Sequence, residues 1–421
     1  MRETRNIEFK EKVTNTFLKT VSAYANYGTG KIEFGIKDNG EIVGVQDPID
    51  VSLNIENKIN DSITPNPQYS LSINDKTDVI TLTVFKGKDT PYFYKAKAYK
   101  RNDSASIEVD DIELKRLILR GENRSYDSLI ARNQDLSFKI LEKALQNKLG
   151  IRKLTSDILI TLDLKKKDEG YTIAGELLAD ENNSRGVDII KFGENISIIQ
   201  DREILDNISI INQYKLAVKK YNQYYQHEEI KGQNRVLVDL IPQEAFREVI
   251  ANALVHRNWD INAQIKVAMY PDRIEVNSPG GLPTGLSKEE YLAGQLSVLR
   301  NPIIANVFFR LGLIEKFGTG IARILNSYEG SAVQPKFEIF ENSIKIILPV
   351  LAYSPQFLNS DESVIFEILQ LGPASAADLT EKTDFSRTKI LNLLRKMASE
   401  GYVIKVGQGR ATKYLLAKDR L

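Results

Sequence analysis

Not one cysteine occurs in these 421 residues, and the only histidines are His227 and His256. Disulfide frameworks, cysteine-type zinc modules and thiol nucleophiles are excluded at once, and the imidazoles are too few for a histidine-rich metal site. Every domain must therefore be held together by apolar burial, for which 42% hydrophobic residues are available. A chain this long exceeds what one core organises, so several domains are expected. The charges nearly cancel, 57 basic residues against 56 acidic. Affinity for nucleic acid then has to come from local patches, not from a global field. The opening Met1-Arg2-Glu3-Thr4-Arg5 holds no apolar signal core, and no run reaches the roughly 18 apolar residues of a membrane span. The expectation is a cytoplasmic chain with no membrane partner.

The first 121 residues read as a mixed α/β unit. Glu11 to Tyr27 carries apolar residues near helical spacing and stops at Gly28, a suitable helix C-cap. Lys31–Ile36 alternates like a strand, Asp38-Asn39-Gly40 signals a tight turn, and Glu41–Val45 is expected to return as a second strand. Further strands are expected at Tyr69–Ile73, Val79–Phe85 and Tyr99–Arg101, with a closing helix over Asp111–Leu119. The set Glu3, Ile7-Glu8-Phe9-Lys10, Ser22-Ala23-Tyr24-Ala25-Asn26 and Gly35–Gly44, with Tyr99-Lys100-Arg101-Asn102 to Ile107 behind it, resembles the Schlafen-type AlbA domain. That resemblance implies nucleic-acid binding. In its nuclease members three carboxylates hold a divalent metal, and the matching positions are Glu3, Glu8 and Asp38, with Lys10 nearby. Clustered hard oxygens suit Mg²⁺ or Mn²⁺, which would activate water against a phosphodiester of RNA or DNA. The bland reading stands beside it: surface acids at Glu3 and Glu8, and a turn-stabilising Asp38.

Residues 122–240 are a connecting α/β region with fewer signals. Leu136–Leu149 reads as a helix, Lys165–Glu169 as a solvated loop, and Ile204 to Tyr225 as one long helix ending in Tyr221, Tyr224 and Tyr225. The segment 241–350 is sharper. Pro242 suits a first helical turn, and after it Glu248, Asn252 and His256 recur every four residues on one helix face. A carboxylate, an amide and an imidazole in line are not a packing stripe. Strands at Ile265–Tyr270 and Arg273–Asn277 follow, then Asn277-Ser278-Pro279-Gly280-Gly281, Arg300-Asn301-Pro302 and Gly318-Thr319-Gly320. Together these resemble the GHKL ATPase fold, and within it the RecG-like transcriptional regulators. The resemblance implies an α/β sandwich binding ATP and Mg²⁺. Glu248 would orient or deprotonate water, and Asn252 would hold the metal. Asn277, Gly280 and Gly281 would line the adenine pocket, and Gly318, Thr319 and Gly320 would approach phosphate. The family's D-x-G-x-G is altered here to Asn277 and Pro279, which favours binding over efficient hydrolysis. A degenerate fold retained for assembly is the alternative.

Residues 351–360 form a linker, and 361–421 read as a winged helix-turn-helix. Helices are expected over Ser363–Leu371, Ser375–Glu381 and Arg387–Ser399, then a hairpin with its tip at Gly407–Arg410. The polar face of the third helix would present Ser386, Arg387, Lys389, Asn392, Arg395 and Lys396, with Arg410 and Lys413 from the wing. Arg and Lys can reach guanine edges or phosphates, and Asn suits adenine. A protein-binding winged helix is the competing reading. Taken together, the chain reads as an α+β multidomain DNA-binding regulator acting on duplex DNA. The alternatives are a metal-dependent nuclease or an assembly scaffold. Paired winged helices commonly match two-fold sites, so a homo-oligomer is expected by analogy.

Overall fold

The computed structural model describes residues 3–231, 234–283, 286–294, 298–315, 319–331, 333–351, 358–407, 409 and 412–417. The chain divides into two units, Met1–Tyr126 and Asp127–Leu421.

In the first unit, β1 (Ile7–Lys10) runs parallel to β2 (Gly30–Phe34), with α1 (Phe17–Tyr27) between them in sequence. After α2 (Pro48–Ser62) and β3 (Ile63–Thr64) come β4 (Tyr69–Asn74) and β5 (Val79–Val84), which complete a sheet of order β1-β2-β5-β4. A second sheet joins β3 to β6 (Phe93–Tyr94), β7 (Lys97–Asn102) and β8 (Ala105–Glu108), and α3 (Asp111–Gly121) closes the unit. Nine of the eleven residues of α1 are buried, and it packs against β5 of one sheet and β7 of the other. A helix buried on all sides needs its polar residues bonded. Ser22 Oγ donates to the Tyr92 carbonyl at 2.7 Å, and Asn26 both donates to that carbonyl and accepts from the Tyr92 N–H. Two polar residues of the Ser22–Asn26 motif are thus clips that fasten α1 to the second sheet.

The expected strand over 41–45 does not form. Ile42 makes only an isolated bridge to Ile36, and the N–H groups of Val43 and Gly44 both donate to the Gly35 carbonyl. Gly35 and Gly44 have φ of 92° and 69°, and a Cβ on Gly35 would lie 2.8 Å from the Gly44 backbone. This close crossing of two glycines turns the chain away from the sheet. It leads into α2, whose sequence carries little helical periodicity because only Ile55 and Ile59 of its fifteen residues face the core.

The second unit opens with α4 (Lys139–Leu149), α5 (Ser156–Thr161), β9 (Lys165–Lys166), β10 (Gly170–Tyr171) and α6 (Ile173–Leu178). The charged run at 165–169 is therefore a short hairpin, not a plain loop. Next come β11 (Val187–Phe192), β12 (Ile199–Leu205), α7 (Ile210–Tyr225), β13 (Gln226–Lys231), β14 (Asn234–Asp239) and α8 (Gln243–His256). The expected helix from Ile204 starts six residues late. Ile204 belongs to β12, and Asn207, with φ of 62°, turns the chain before Ser209. Then follow β15 (Ile265–Met269), β16 (Arg273–Pro279), α9 (Lys288–Ala293), α10 (Pro302–Arg310), α11 (Gly320–Asn326), β17 (Lys336–Ile339) and β18 (Ser343–Pro349).

The main sheet has the order β12-β11-β15-β16-β18-β17. Its first two strands come from residues 187–205, ahead of the segment that the ATPase-like motifs mark. Register separates its faces. Val187, Ile265, Ile189, Val267, Val276 and Ile346 are buried in the core with Phe246, Val249, Ile250 and Leu254 of α8. The row Asp188, Lys266, Asn277, Lys345 and Glu338 forms the opposite, polar face. One packed face and one polar face is the usual economy of an antiparallel-rich sheet.

The end of the chain forms α12 (Ser360–Gln370), α13 (Ala376–Lys382), α14 (Arg387–Ser399), β19 (Val403–Val406) and β20 (Lys413–Leu416). Ala374 bridges Tyr414, and Ile365, Phe366, Leu379, Ile390, Leu394 and Met397 share one core. The expected order of three helices and a hairpin is present.

Candidate functional site

The N-terminal carboxylates do not assemble. Glu3 Oε1 accepts from the Phe9 N–H at 2.9 Å, and Asp38 lies exposed in its turn. Glu8 is buried, and both its oxygens are engaged. Oε1 meets Lys10 Nζ at 2.8 Å, while Oε2 accepts from Arg101 Nη1 at 2.5 Å and Thr20 Oγ1 at 2.6 Å. Among the described residues no three of His, Cys, Asp and Glu gather as they would around a metal ion. A carboxylate already neutralised by an arginine and a lysine is a poor ligand for Mg²⁺ or Mn²⁺, so the donor set does not fit the metal that the motif implied.

The helix α8 does build a site. A cavity is lined by Glu248, Asn252 and His256 on one side and by Gly280, Gly281 and Gly320 on the others, with Val276, Ile344 and Ile346 as its apolar floor. Asn252 Nδ2 donates to Glu248 Oε1 at 3.0 Å. A Cβ on Gly320, the first residue of α11, would sit 2.4 Å from Glu248 Oε1 and 2.7 Å from Asn252 Nδ2. A larger residue here would push the Glu248 and Asn252 side chains aside. Burial raises the Glu248 pKa, and the Asn252 hydrogen bond opposes the rise. Burial, with Arg300 adding to it, lowers His256 to about 4, so this imidazole is neutral at physiological pH.

The Arg300-Asn301-Pro302 motif is the brace of this site. Arg300 Nη1 donates to the His256 carbonyl at 2.6 Å, and Asn301 Nδ2 donates to the carbonyls of Val255 and Arg257 at 2.7 and 2.9 Å. The last carbonyls of a helix have no intrahelical partner, and these side chains satisfy them. Arg300 Nη2 also holds the Gly281 carbonyl at 2.7 Å, tying the glycine loop to the end of α8. Buried Asp127 caps the following helix, accepting from the Ile303 and Ile304 N–H groups.

Asn277 departs from its expected place. Strand alternation turns Val276 and Ser278 toward the cavity, while Asn277 shares the polar row with Lys266 and Lys345. Ser278 was not singled out in the sequence, although the period-two rule could have found it. Its hydroxyl donates to the Ala253 carbonyl of α8. Arg300 and Glu315 also line the cavity, as does Tyr291, which no motif marks. Thr319 is exposed and stands just before α11, and Gly318 lies outside the described residues.

Of the residues expected to face DNA, Arg387, Asn392 and Arg395 are exposed on α14, and Arg395 Nη1 donates to Asn392 Oδ1 at 2.9 Å. Lys413 is exposed on β20, and Arg410 lies outside the described residues. Ser386 caps α14 by accepting from the Lys389 N–H. Lys389 and Lys396 turn toward α12, where they pair with Asp361 at 2.8 Å and fully buried Glu362 at 2.7 Å. Lys389 also lies 3.9 Å over the Phe385 ring.

The fold and the site define an ATPase-like α/β domain carried on the same chain as an N-terminal α/β domain of a second family. Residues 3–110 match the family model described as Schlafen, AlbA_2, and residues 262–348 match that described as Putative ATP-dependent DNA helicase recG C-terminal. This is the combination that the motifs carried. The second span begins after α8, so Glu248, Asn252 and His256 rest on geometry. The crystal structure of the DIP2311 protein from Corynebacterium diphtheriae is 18% identical, covering 98% of this chain and 92% of that one, with a TM-score of 0.49. The solution structure of the N-terminal domain of a putative ATP-dependent DNA helicase RecG-related protein from Nitrosomonas europaea is 22% identical, covering 26% of this chain and 84% of that one, with a TM-score of 0.20. Both similarities are too low to bear on function. No curated protein matches the chain.

Proposed function

We propose that this protein is a DNA-binding regulator whose ATPase-like domain binds ATP with Mg²⁺. The observation that carries the reading is the meeting of Glu248, Asn252 and Gly320 in one cavity with the Gly280-Gly281 loop. When bound, Mg²⁺ would neutralise phosphate charge. The side-chain amide oxygen of Asn252 would hold it, and the backbone at Gly320 would border the phosphates. Glu248, buried and displaced upward in pKa, would orient a water. Ser278 offers the cavity a neutral hydroxyl, held by the Ala253 carbonyl of α8. DNA contact falls to Arg387, Asn392, Arg395 and Lys413, the exposed polar residues of α14 and β20.

Titration calorimetry with a non-hydrolysable ATP analogue tests the nucleotide half. Binding should require Mg²⁺ and be lost in Asn252→Ala. It should fall at least ~10-fold, or about 1.4 kcal/mol, in Gly320→Ala, whose methyl group would displace the Glu248–Asn252 pair. Absence of heat at millimolar nucleotide would end the reading. For the DNA half, affinity measured by gel shift should drop steeply with salt, and Lys413→Ala should reduce the salt slope by about one. Salt-insensitive binding, or none at micromolar protein, would assign this module to a protein partner.

A further inference from the structure

Between α7 and α8 the chain leaves the core as β13, returns as β14, and re-enters at Leu240 and Ile241. The base of the hairpin is tied down. The Leu240 N–H donates to the Tyr225 carbonyl at 2.8 Å, the Tyr221 hydroxyl donates to the Ile241 carbonyl, and Ile241 is fully buried. Above the base, among the described residues β13 and β14 pair only with each other, in an unbroken antiparallel register from Gln226↔Asp239 to Lys231↔Asn234. A lone two-stranded hairpin is marginal in water. This one exposes Ile230 (77%) and Leu237 (60%). Free edges are normally blunted by charged side chains, proline or a bulge, and β14, Asn234-Arg235-Val236-Leu237-Val238-Asp239, has neither proline nor bulge and carries charge only at Arg235 and Asp239.

We infer that β14 is the dimerisation edge of this protein and that its occupant is β14 of a second copy, the two hairpins joining into one four-stranded antiparallel sheet. Charge favours this partner, although within the hairpin Arg235 Nη1 already lies 3.2 Å from Glu228 Oε2 and Asp239 Oδ1 already accepts from Gln226 Nε2. About a two-fold axis at Leu237, Arg235 stands opposite Asp239 of the second copy, Val236 opposite Val238, and Leu237 opposite itself. Opposite charges across an antiparallel pair stabilise it, and like charges weaken it. The other edge lacks this complementarity, because β13 carries Glu228 and Glu229 side by side, and self-pairing about them sets carboxylate against carboxylate. Backbone phase agrees with the proposed axis. Hydrogen-bonded and non-bonded pairs alternate along an antiparallel ladder. Since Leu240 donates inward to Tyr225, the N–H groups of Arg235, Leu237 and Asp239 point to the outer edge, where the second copy's carbonyls would meet them.

The test is the mass of the full chain in solution, by size exclusion with light scattering at tens of micromolar, with circular dichroism to confirm the fold. The wild type should run at twice the chain mass of 47.6 kDa. Leu237→Pro, which removes an outward N–H but no bond within the hairpin, and Asp239→Arg, which sets like charges across the axis and leaves the Arg235–Glu228 pair in place, should each run as monomers. The charge swap Arg235→Asp with Asp239→Arg should restore the dimer. A monomeric wild type, which would leave the edge to a different chain, overturns the inference. So does either single variant that keeps the dimer mass, or a swap that stays monomeric.

Discussion

Glu8 shows how one residue's role is decided by its neighbours. In the sequence it stands in a metal-binding pattern, but in the fold it is a buried counter-ion for Arg101 and Lys10, with Thr20 as its third partner. Removing one member of a buried ion pair strands the other charge, at a cost of about 3–5 kcal/mol. Glu8→Ala should therefore lower the stability of the N-terminal unit by roughly that amount in a denaturant melt. A metal ligand at the same place would behave differently, its variant keeping stability and losing only Mg²⁺- or Mn²⁺-dependent cleavage. Asn277 gives the same lesson in a strand, where a shift of one residue exchanges the cavity face for the polar face.

At the scale of single elements, α8 and α14 each combine a buried stripe with a polar one. His256 ends α8 inside the cavity wall with its pKa lowered to about 4, chiefly by burial. The unfolded chain takes up this proton near pH 6.5, and the folded chain does not until about pH 4. Stability contributed by the neutral ring is thus complete above about pH 6.5 and lost progressively as pH falls toward 4. Melting temperature should decline across that window in the wild type, and His256→Asn should flatten the decline. Along α14, Lys396 neutralises Glu362, which caps α12 and is fully buried. Lys396→Ala should lower the melting temperature of the C-terminal module through the stranded carboxylate. Arg387→Ala should leave the melt unchanged and cost ~1–3 kcal/mol of affinity for a preferred duplex. A melting curve beside a gel shift separates the two.

For the whole molecule, the reading of a nucleotide-responsive regulator makes a quantitative demand. If nucleotide in the α8 cavity changes DNA affinity, DNA must change nucleotide affinity by the same factor, typically ~5–150-fold. Measuring the DNA dissociation constant with and without the ATP analogue, and the analogue's constant with and without DNA, checks this directly. Equal factors above one support a coupled regulator. A factor of one in both would mean that the domains act independently.

Much of this architecture was legible in the chain itself. Helical spacing located α1, α8 and α14, alternation located β4, β5, β15 and β16, and the Glu248–Asn252–His256 interval alone put three polar groups on one face. Those patterns are local, set by the 3.6- and 2-residue periods of the backbone. What stayed hidden depends on contacts between distant segments. The crossing of Gly35 over Gly44 removed an expected strand. Arg101, 93 residues away in the chain, captured Glu8, and Asp361 and Glu362 on α12 captured two lysines of α14. No periodicity encodes such meetings. A side chain's partner is chosen by which surfaces the folded chain brings together, and burial then decides whether that side chain can bind a metal, hold DNA or only balance a charge.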